Sequence, residues 1–269
     1  MTTISTLELA KNTARDAGSL ILSMVGKSRI YQKGTSNNLV TEADTAAERL
    51  IASMIKQYFP NSAILGEEEH KADLDAPSLW IVDPIDGTNN FAHGIPQFAV
   101  SIAYAEYGIV QCGVVYDPSM DELFYAQRGC GAFLNDQPIK VSDVDTFDNS
   151  IIGTGFYYDR GAILDNTIKA IHTLFGHNIQ CVRRMGSAAL DLCYVASGRF
   201  DAYFEYMLSP WDFAAAALIL EEAGGIWSDR EGQKNGLHSK GMISSNRNLA
   251  DAFCDVVKYS TINAIKIGL

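Results

Sequence analysis

The sequence predicts an α/β protein (α+β in the wider sense) with helices layered on sheet, and three observations predict it. Two long stretches of helical period lie near the N-terminus, and a run of short apolar strands with turn signals follows them. After Asn149 short strands and helices alternate, the pattern of helices laid against a sheet. Between these regions, Trp-Ile-Val-Asp-Pro-Ile-Asp-Gly-Thr-Asn-Asn-Phe, from Trp80 to Phe91, ends an apolar strand in two carboxylates at a sharp turn.

From about Ile4 to Met24 apolar residues recur at helical spacing (Leu7, Ala10, Ala14, Ala17, Leu20, Ile21, Met24), which predicts a first helix. A second runs from Glu42 or Ala43 to Tyr58, with Ala46, Leu50, Met54 and Ile55 facing inward and Pro60 just past its end. Strands are expected at Ala63–Leu65, Leu79–Val82, Ala99–Ala105 and Ile109–Tyr116. Asp117-Pro118-Ser119-Met120-Asp121 then turns the chain into Leu123–Ala126 as a hairpin. In the second half, strand-like Ile151-Ile152 precedes a helix near Ala162–Leu174. A strand around Gln180–Arg183 precedes a helix near Ser187–Ala196, and a strand at Ala202–Tyr206 precedes a helix from about Trp211 to Ala223. Asp143, Asp145, Asp148 and Asn149 mark a join between an N-terminal half, 1–146, and a C-terminal half, 147–269. Composition does not break there, so the halves are expected to pack tightly.

A chain of 269 residues has the length to bury a large core. Its 47% hydrophobic and 20% charged residues are those of an ordinary globular protein. The formal net charge of −11 argues against a broad nucleic-acid footprint, while bound cations would let an acidic protein handle phosphate esters. Cys112, Cys130, Cys181, Cys193 and Cys254 are odd in number and form no C-x-x-C pair, which fits reduced thiols better than a disulfide framework or a zinc site. No basic stretch precedes an apolar one at the N-terminus and no apolar run reaches membrane length, so a cytoplasmic protein without membrane contact is expected.

The Trp80–Phe91 stretch carries the chemistry. Its plain reading is a strand with an Asp-capped turn, since Asp, Pro and Gly are ordinary turn residues. That reading leaves Asp83 and Asp86 at the end of an apolar strand with no Lys or Arg in the segment. Carboxylates there are costly to desolvate unless a cation joins them, and a hard divalent metal takes carboxylate and backbone carbonyl oxygens together. Gly87-Thr88-Asn89-Asn90 then opens a helix whose bare N–H groups suit an anion. Metal carboxylates beside a phosphate cradle point to phosphoryl chemistry. Leu65-Gly66-Glu67-Glu68-Glu69 ends another short strand in acids; alone this reads as a solvated face, yet Glu67 precedes Asp83 by only 16 residues. Asp212, at the start of an Ala-rich helix, also reads as a plain N-terminal helix acid.

These residues resemble the inositol monophosphatase family of magnesium-dependent sugar phosphatases. Trp80–Phe91 matches its first signature, Gly66-Glu67-Glu68 its acidic strand end, and Trp211-Asp212-Phe213-Ala214-Ala215 its second signature. Leu39–Asp44, Gly113–Tyr116 and Glu222–Gly225 fall in the same order, and Arg183–Leu192 is similar to the bacterial extragenic-suppressor branch. Ala216 stands where many members carry glycine.

The resemblance implies a layered α/β/α/β/α sandwich of the sugar phosphatase type, usually homodimeric and lithium-sensitive, that hydrolyses myo-inositol monophosphate. It implies two to three Mg²⁺ ions per site. Glu67, Asp83 and the Ile85 carbonyl would bind one; Asp83, Asp86 and Asp212 a second; Glu67 would help hold a third through waters. Phosphate would rest on the metals and on the N–H groups of Gly87 and Thr88. Thr88 paired with Asp44 would orient or deprotonate the attacking water, and Glu205 with the backbone of Gly186, Ser187 and Ala188 would hold the alcohol. Histidinol phosphate, fructose 1,6-bisphosphate and nucleotide 3′-phosphates stay open as substrates, though the short Glu67–Asp83 connection disfavours the nucleotide branch. The bacterial branch also implies an alternative role in binding RNA or RNA polymerase, which the acidic charge does not support.

Other polar residues read as supporting. His93 follows the motif but all-oxygen ligands leave it little to do, and His70, His172, His177 and His238 lack ligand spacing. Arg183-Arg184 reads as a structural pair sooner than as a recognition site, though it is the feature that feeds the RNA-binding alternative. Lys33 matches a basic position in a loop with Gly34, Ser36, Asn37 and Asn38.

Overall fold

The computed structural model describes residues 4–32 and 39–259; the loop of Lys33 lies outside them. Helix α1 (Thr6–Met24) begins where Ser5 accepts the Glu8 backbone N–H at 3.2 Å. Strands β1 (Ile30–Gln32) and β2 (Leu39–Thr41) pair antiparallel and lead into α2 (Glu42–Tyr58). Then come β3 (Ala63–Gly66), β4 (Ser78–Asp86), the short α3 (Thr88–Ala92), β5 (Ala99–Glu106), β6 (Ile109–Asp117), β7 (Glu122–Gln127), β8 (Ala132–Leu134) and β9 (Gln137–Ile139). The later part holds β10 (Ile151–Thr154), α4 (Ala162–Gly176), β11 (Cys181–Arg183), α5 (Ala188–Ala196) and β12 (Ala202–Glu205). It continues through α6 (Pro210–Glu222), β13 (Ile226–Ser228), β14 (Met242–Ser245) and α7 (Ala250–Val257).

Strands β3 to β9 form one seven-stranded sheet in sequence order, and a five-stranded sheet runs β11-β10-β12-β14-β13. Alternation along β4 decides what each face covers. Trp80 and Val82 pack with Leu9, Ala14 and Ile21 of α1 and with Ile51 of α2, whereas Leu79 and Ile81 pack with α5 and α6. Phe204 of β12 and Ile243 of β14 face Leu174 of α4 and Phe253 of α7. The layers are therefore helix, sheet, helix, sheet, helix, with α5 and α6 in the middle. Among the described residues no helix is long and apolar enough to cross a membrane. All five cysteines are free.

The inward face of α2 departs from the expectation. Ala43, Ala47, Ile51 and Ile55 are buried, and Asp44 and Glu48 with them, while Ala46, Leu50 and Met54 are only half-buried. Two inward carboxylates at i and i+4 occupy the stripe, and a pattern of hydrophobicity alone assigns them to solvent. Strands β1, β2, β8, β9, β13 and β14 and helix α7 are additions to what the sequence predicts; the strands span three or four residues, too short to show a period.

Candidate active site

Strand β4 delivers Asp83 and Asp86. In a regular strand residues three apart point to opposite faces. Here the register with β5 shifts between Asp83↔Ser101 and Asp86↔Ala99, so β4 carries one extra residue. This bulge falls at Pro84, which has no N–H to lose from the ladder. The extra residue restores the parity. Carboxylate oxygens of Asp83, Asp86 and Asp212 all lie within 4.8 Å of one another.

Asp212 comes from the first turn of α6, where the Ser209 N–H donates to Asp212 Oδ2 at 2.6 Å and Pro210 starts the helix. Phe213 to Leu220 are buried on every side, so both sheets clamp this helix. A Cβ on Gly113 would lie 2.5 Å from the Ala215 carbonyl oxygen, which is why β6 carries glycine at that crossing. Ala216 is fully buried and does not line the site.

Glu67 follows β3, which runs parallel to β4 with Gly66 beside Val82, and the Glu67 N–H donates to the Val82 carbonyl at 3.2 Å. Both acidic strand ends thus reach one edge. Glu48 of α2 holds the loop: it accepts the N–H groups of Glu68, Glu69 and His70 at 2.7, 2.8 and 2.9 Å and pairs with the His70 ring at 2.8 Å. Burial pushes its carboxyl up, and the His70 ring with the three N–H donors outweighs that, holding it below the ordinary range.

Burial, and then the neighbouring carboxylates, raises Asp83 and Asp212 well above the ordinary carboxylate range. Burial also lifts Asp86 to about 6, against the Ser187 hydroxyl (2.6 Å) and the Ala189 N–H (2.7 Å) that hold its Oδ2. Three crowded carboxylates with all-oxygen donors fit a hard divalent cation. Glu67 and Ile85 line the same cavity, but Glu67 stands outside the 4.8 Å group.

The cavity measures about 330 Å³ and is lined by Glu67, Asp83, Ile85, Asp86, Gly87, Thr88, Gly186, Ser187, Ala188, Glu205 and Asp212 among others. Thr88 Oγ1 reaches the Ile85 carbonyl at 3.1 Å and Asp44 Oδ1 at 3.1 Å. Asp44 itself is buried behind Thr88, away from the cavity surface, and burial lifts its carboxyl to about 6. Gly87 has φ +99°, and a Cβ there would sit 2.9 Å from the Gln97 carbonyl oxygen. Glu205 accepts the Tyr203 hydroxyl at 2.6 Å, and burial lifts its carboxyl to about 7.

The sequence reading missed several lining residues. Arg184, read as half of a structural pair, is exposed and lines the cavity, whereas Arg183 turns back to the Val182 carbonyl at 3.2 Å. Tyr157 and Tyr158, their rings 5.6 Å apart, also line it, as does Asp191. Arg184 and Asp191 lie in the Arg183–Leu192 stretch that resembles the bacterial branch, but the resemblance gives neither a place in the site; an aromatic pair in a loop and an acid in an apolar helix carry no spacing signal. His70 serves Glu48, and the exposed His93, whose ring shares a 2.8 Å hydrogen bond with the Asn89 carbonyl, lies off the cavity.

The model of the Inositol monophosphatase family matches residues 4–261. The chain belongs to the inositol monophosphatase family. It is therefore a phosphatase, acting on phosphorylated substrates, of a family that is generally metal-dependent. The family's Synechocystis "Inositol-1-monophosphatase" is 47% identical over 224 residues, covering 82% of this chain and 78% of the relative. The Escherichia coli K12 "Nus factor SuhB" is 40% identical over 266 residues, 97% of this chain and 98% of the relative. Among solved family structures, the Thermotoga maritima IMPase superposes with a TM-score of 0.87 at 36% identity, covering 94% of this chain and 97% of that one. The Anabaena inositol monophosphatase superposes with a TM-score of 0.83 at 39% identity, covering 93% and 94%.

Proposed function

We propose that this chain hydrolyses myo-inositol monophosphate to myo-inositol and phosphate with Mg²⁺, two to three ions per site. The observation that carries this is the convergence of Asp83, Asp86 and Asp212 within 4.8 Å, in a cavity that Thr88 and Glu205 also line. Asp83, Asp86 and Asp212, with Glu67 and the Ile85 carbonyl, are the residues that would hold the metal. Bound there, Mg²⁺ supplies charge neutralisation for the phosphoryl group and acidifies the attacking water.

The chain's own groups do the rest. The Thr88 hydroxyl, anchored to Asp44, orients the water and relays its proton toward that carboxylate. The N–H groups of Gly87 and Thr88 hold the phosphate. Glu205 accepts a hydroxyl of the alcohol, with the backbone of Gly186, Ser187 and Ala188 along the ring. A phosphate-release panel over inositol 1-phosphate, histidinol phosphate, fructose 1,6-bisphosphate and nucleotide 3′-phosphates, with Mg²⁺ and with EDTA, tests the reading. EDTA-resistant turnover sinks the metal assignment, and preference for another ester sinks the substrate. Uncompetitive inhibition by Li⁺ and a homodimer in sedimentation are expected from the same family likeness.

Similarity over almost the whole chain to proteins named Nus factor SuhB supports a second reading, contact with the transcription machinery. Co-purification with RNA polymerase tests it independently, and both roles are compatible.

A further inference from the structure

The reading above leaves Asp191 without a task. This residue sits in the first turn of α5 and is 1% exposed. Its Oδ1 is buried without a hydrogen-bond partner, while the residue lines the same cavity as Gly186, Ser187 and Glu205. An unmet buried acceptor is destabilising and native folds keep few of them. On a residue that lines a ligand cavity, it is explained when a bound ligand supplies the carboxyl with a donor.

Its surroundings narrow the ligand. The charges of Asp86 and then Glu205 act on Asp191, and the Arg184 guanidinium acts on Asp191 and Glu205 with the opposite sign. The wall thus offers two carboxyls and one cation. A second phosphate would meet the carboxyls and an ammonium would meet Arg184, whereas neighbouring hydroxyls donate to the first and accept from the second. A cavity of about 330 Å³ holds one such ring.

Resting on the phosphatase reading, we propose that Asp191 determines substrate specificity. Its carboxyl, one oxygen of which has no partner within the fold, accepts a hydrogen bond from a second hydroxyl of a cyclic polyol phosphate, beside the hydroxyl that Glu205 holds. The Ser187 hydroxyl is already committed to Asp86, so Asp191 is the polar side chain of this helix turn left to the ring.

Steady-state kinetics with Mg²⁺ on the full chain, comparing inositol 1-phosphate with 4-nitrophenyl phosphate, tests this. Asp191→Leu should lower kcat/KM for the inositol ester about 10- to 100-fold, mainly through KM, and leave the hydroxyl-free ester nearly unchanged. Asp191→Asn keeps an acceptor oxygen and should restore most of the loss. The Leu variant should melt no lower than wild type, because the unmet acceptor is gone. Equal losses on both esters, no loss on either, or lowered melting as the sole effect overturns the inference while the phosphatase reading stands. A wild-type preference for phosphoethanolamine over inositol 1-phosphate overturns the polyol wall and the proposed substrate together.

Discussion

The Thr88 hydroxyl donates to Asp44 Oδ1 at 3.1 Å, tying the start of α3 to the start of α2 across 44 residues of sequence. The other oxygen of Asp44 is taken by the Thr41 backbone N–H at 2.8 Å and the Thr41 hydroxyl at 2.6 Å. Asp44 is thus the reciprocal acid of a capping box that starts a helix and, with its remaining oxygen, the group that fixes Thr88.

Thr88→Ala should lower kcat by about 10²- to 10⁴-fold with little change in KM, because in the proposed mechanism the hydroxyl acts on the water and not on the alcohol. Asp44→Asn should do the same, and the double variant should be little worse than either single one. Initial-rate kinetics on all three variants check this; multiplying losses would show two independent groups.

Asp83→Asn should abolish turnover at any Mg²⁺ concentration, and Asp212→Asn should raise the Mg²⁺ needed for half-maximal rate. In EDTA both variants should melt above wild type, since one crowded carboxylate is gone. Near-normal turnover of Asp83→Asn at saturating Mg²⁺ would remove that residue from the metal set.

Glu48→Gln should destabilise the fold by about 1–3 kcal/mol, because the new amide NH₂ faces N–H groups that have only one acceptor left. Gly66→Ala should act in the same direction, its Cβ falling 2.5 Å from the Glu48 carboxyl carbon. Urea melts measure the stability, and both variants should need more Mg²⁺ because the Glu67 loop is loosened. An unchanged Mg²⁺ requirement in a destabilised protein would confine Glu48 to a structural role.

Metal-free protein should gain stability as pH falls from about 8 to about 5. Asp44 and Asp86 sit at about 6 and Glu205 at about 7, all above their unfolded values, with Asp83 and Asp212 raised further. Between the unfolded and folded values the native state binds more protons, so protonation favours folding. Glu48 has the opposite sign, but its loss begins only as pH falls below its ordinary range. Mg²⁺ should raise the melting temperature at pH 8 and flatten the slope. A flat profile in EDTA would contradict the crowding.

What was legible in the sequence follows from how far each signal reaches. The Asp83–Asp86 pair, the hairpin at Asp117–Asp121 and the helix at Trp211 announce themselves through local turn chemistry and period. The layered order came from resemblance, and the two sheets bear it out. Asp44 was legible only through the family resemblance that pairs it with Thr88, and Glu48 on the same buried face of α2 not at all, because their partners, Thr88 and the Glu67–His70 loop, lie many residues away. Asp191 and Arg184 fall in the Arg183–Leu192 motif, yet their place in the cavity stayed hidden for the same reason: a wall assembled from separate elements is not written in any one of them.

The clamping of α6 between two sheets bears on how the protein is made. Glu67, Asp83 and Asp86 leave the ribosome more than a hundred residues before Asp212. A nascent or truncated chain therefore displays the signature stretch while lacking the acid that completes the cluster. On the proposed metal reading, tight ion capture would be an end-of-assembly event, and a fragment that bears the motif without α6 would lack the acid that completes the site.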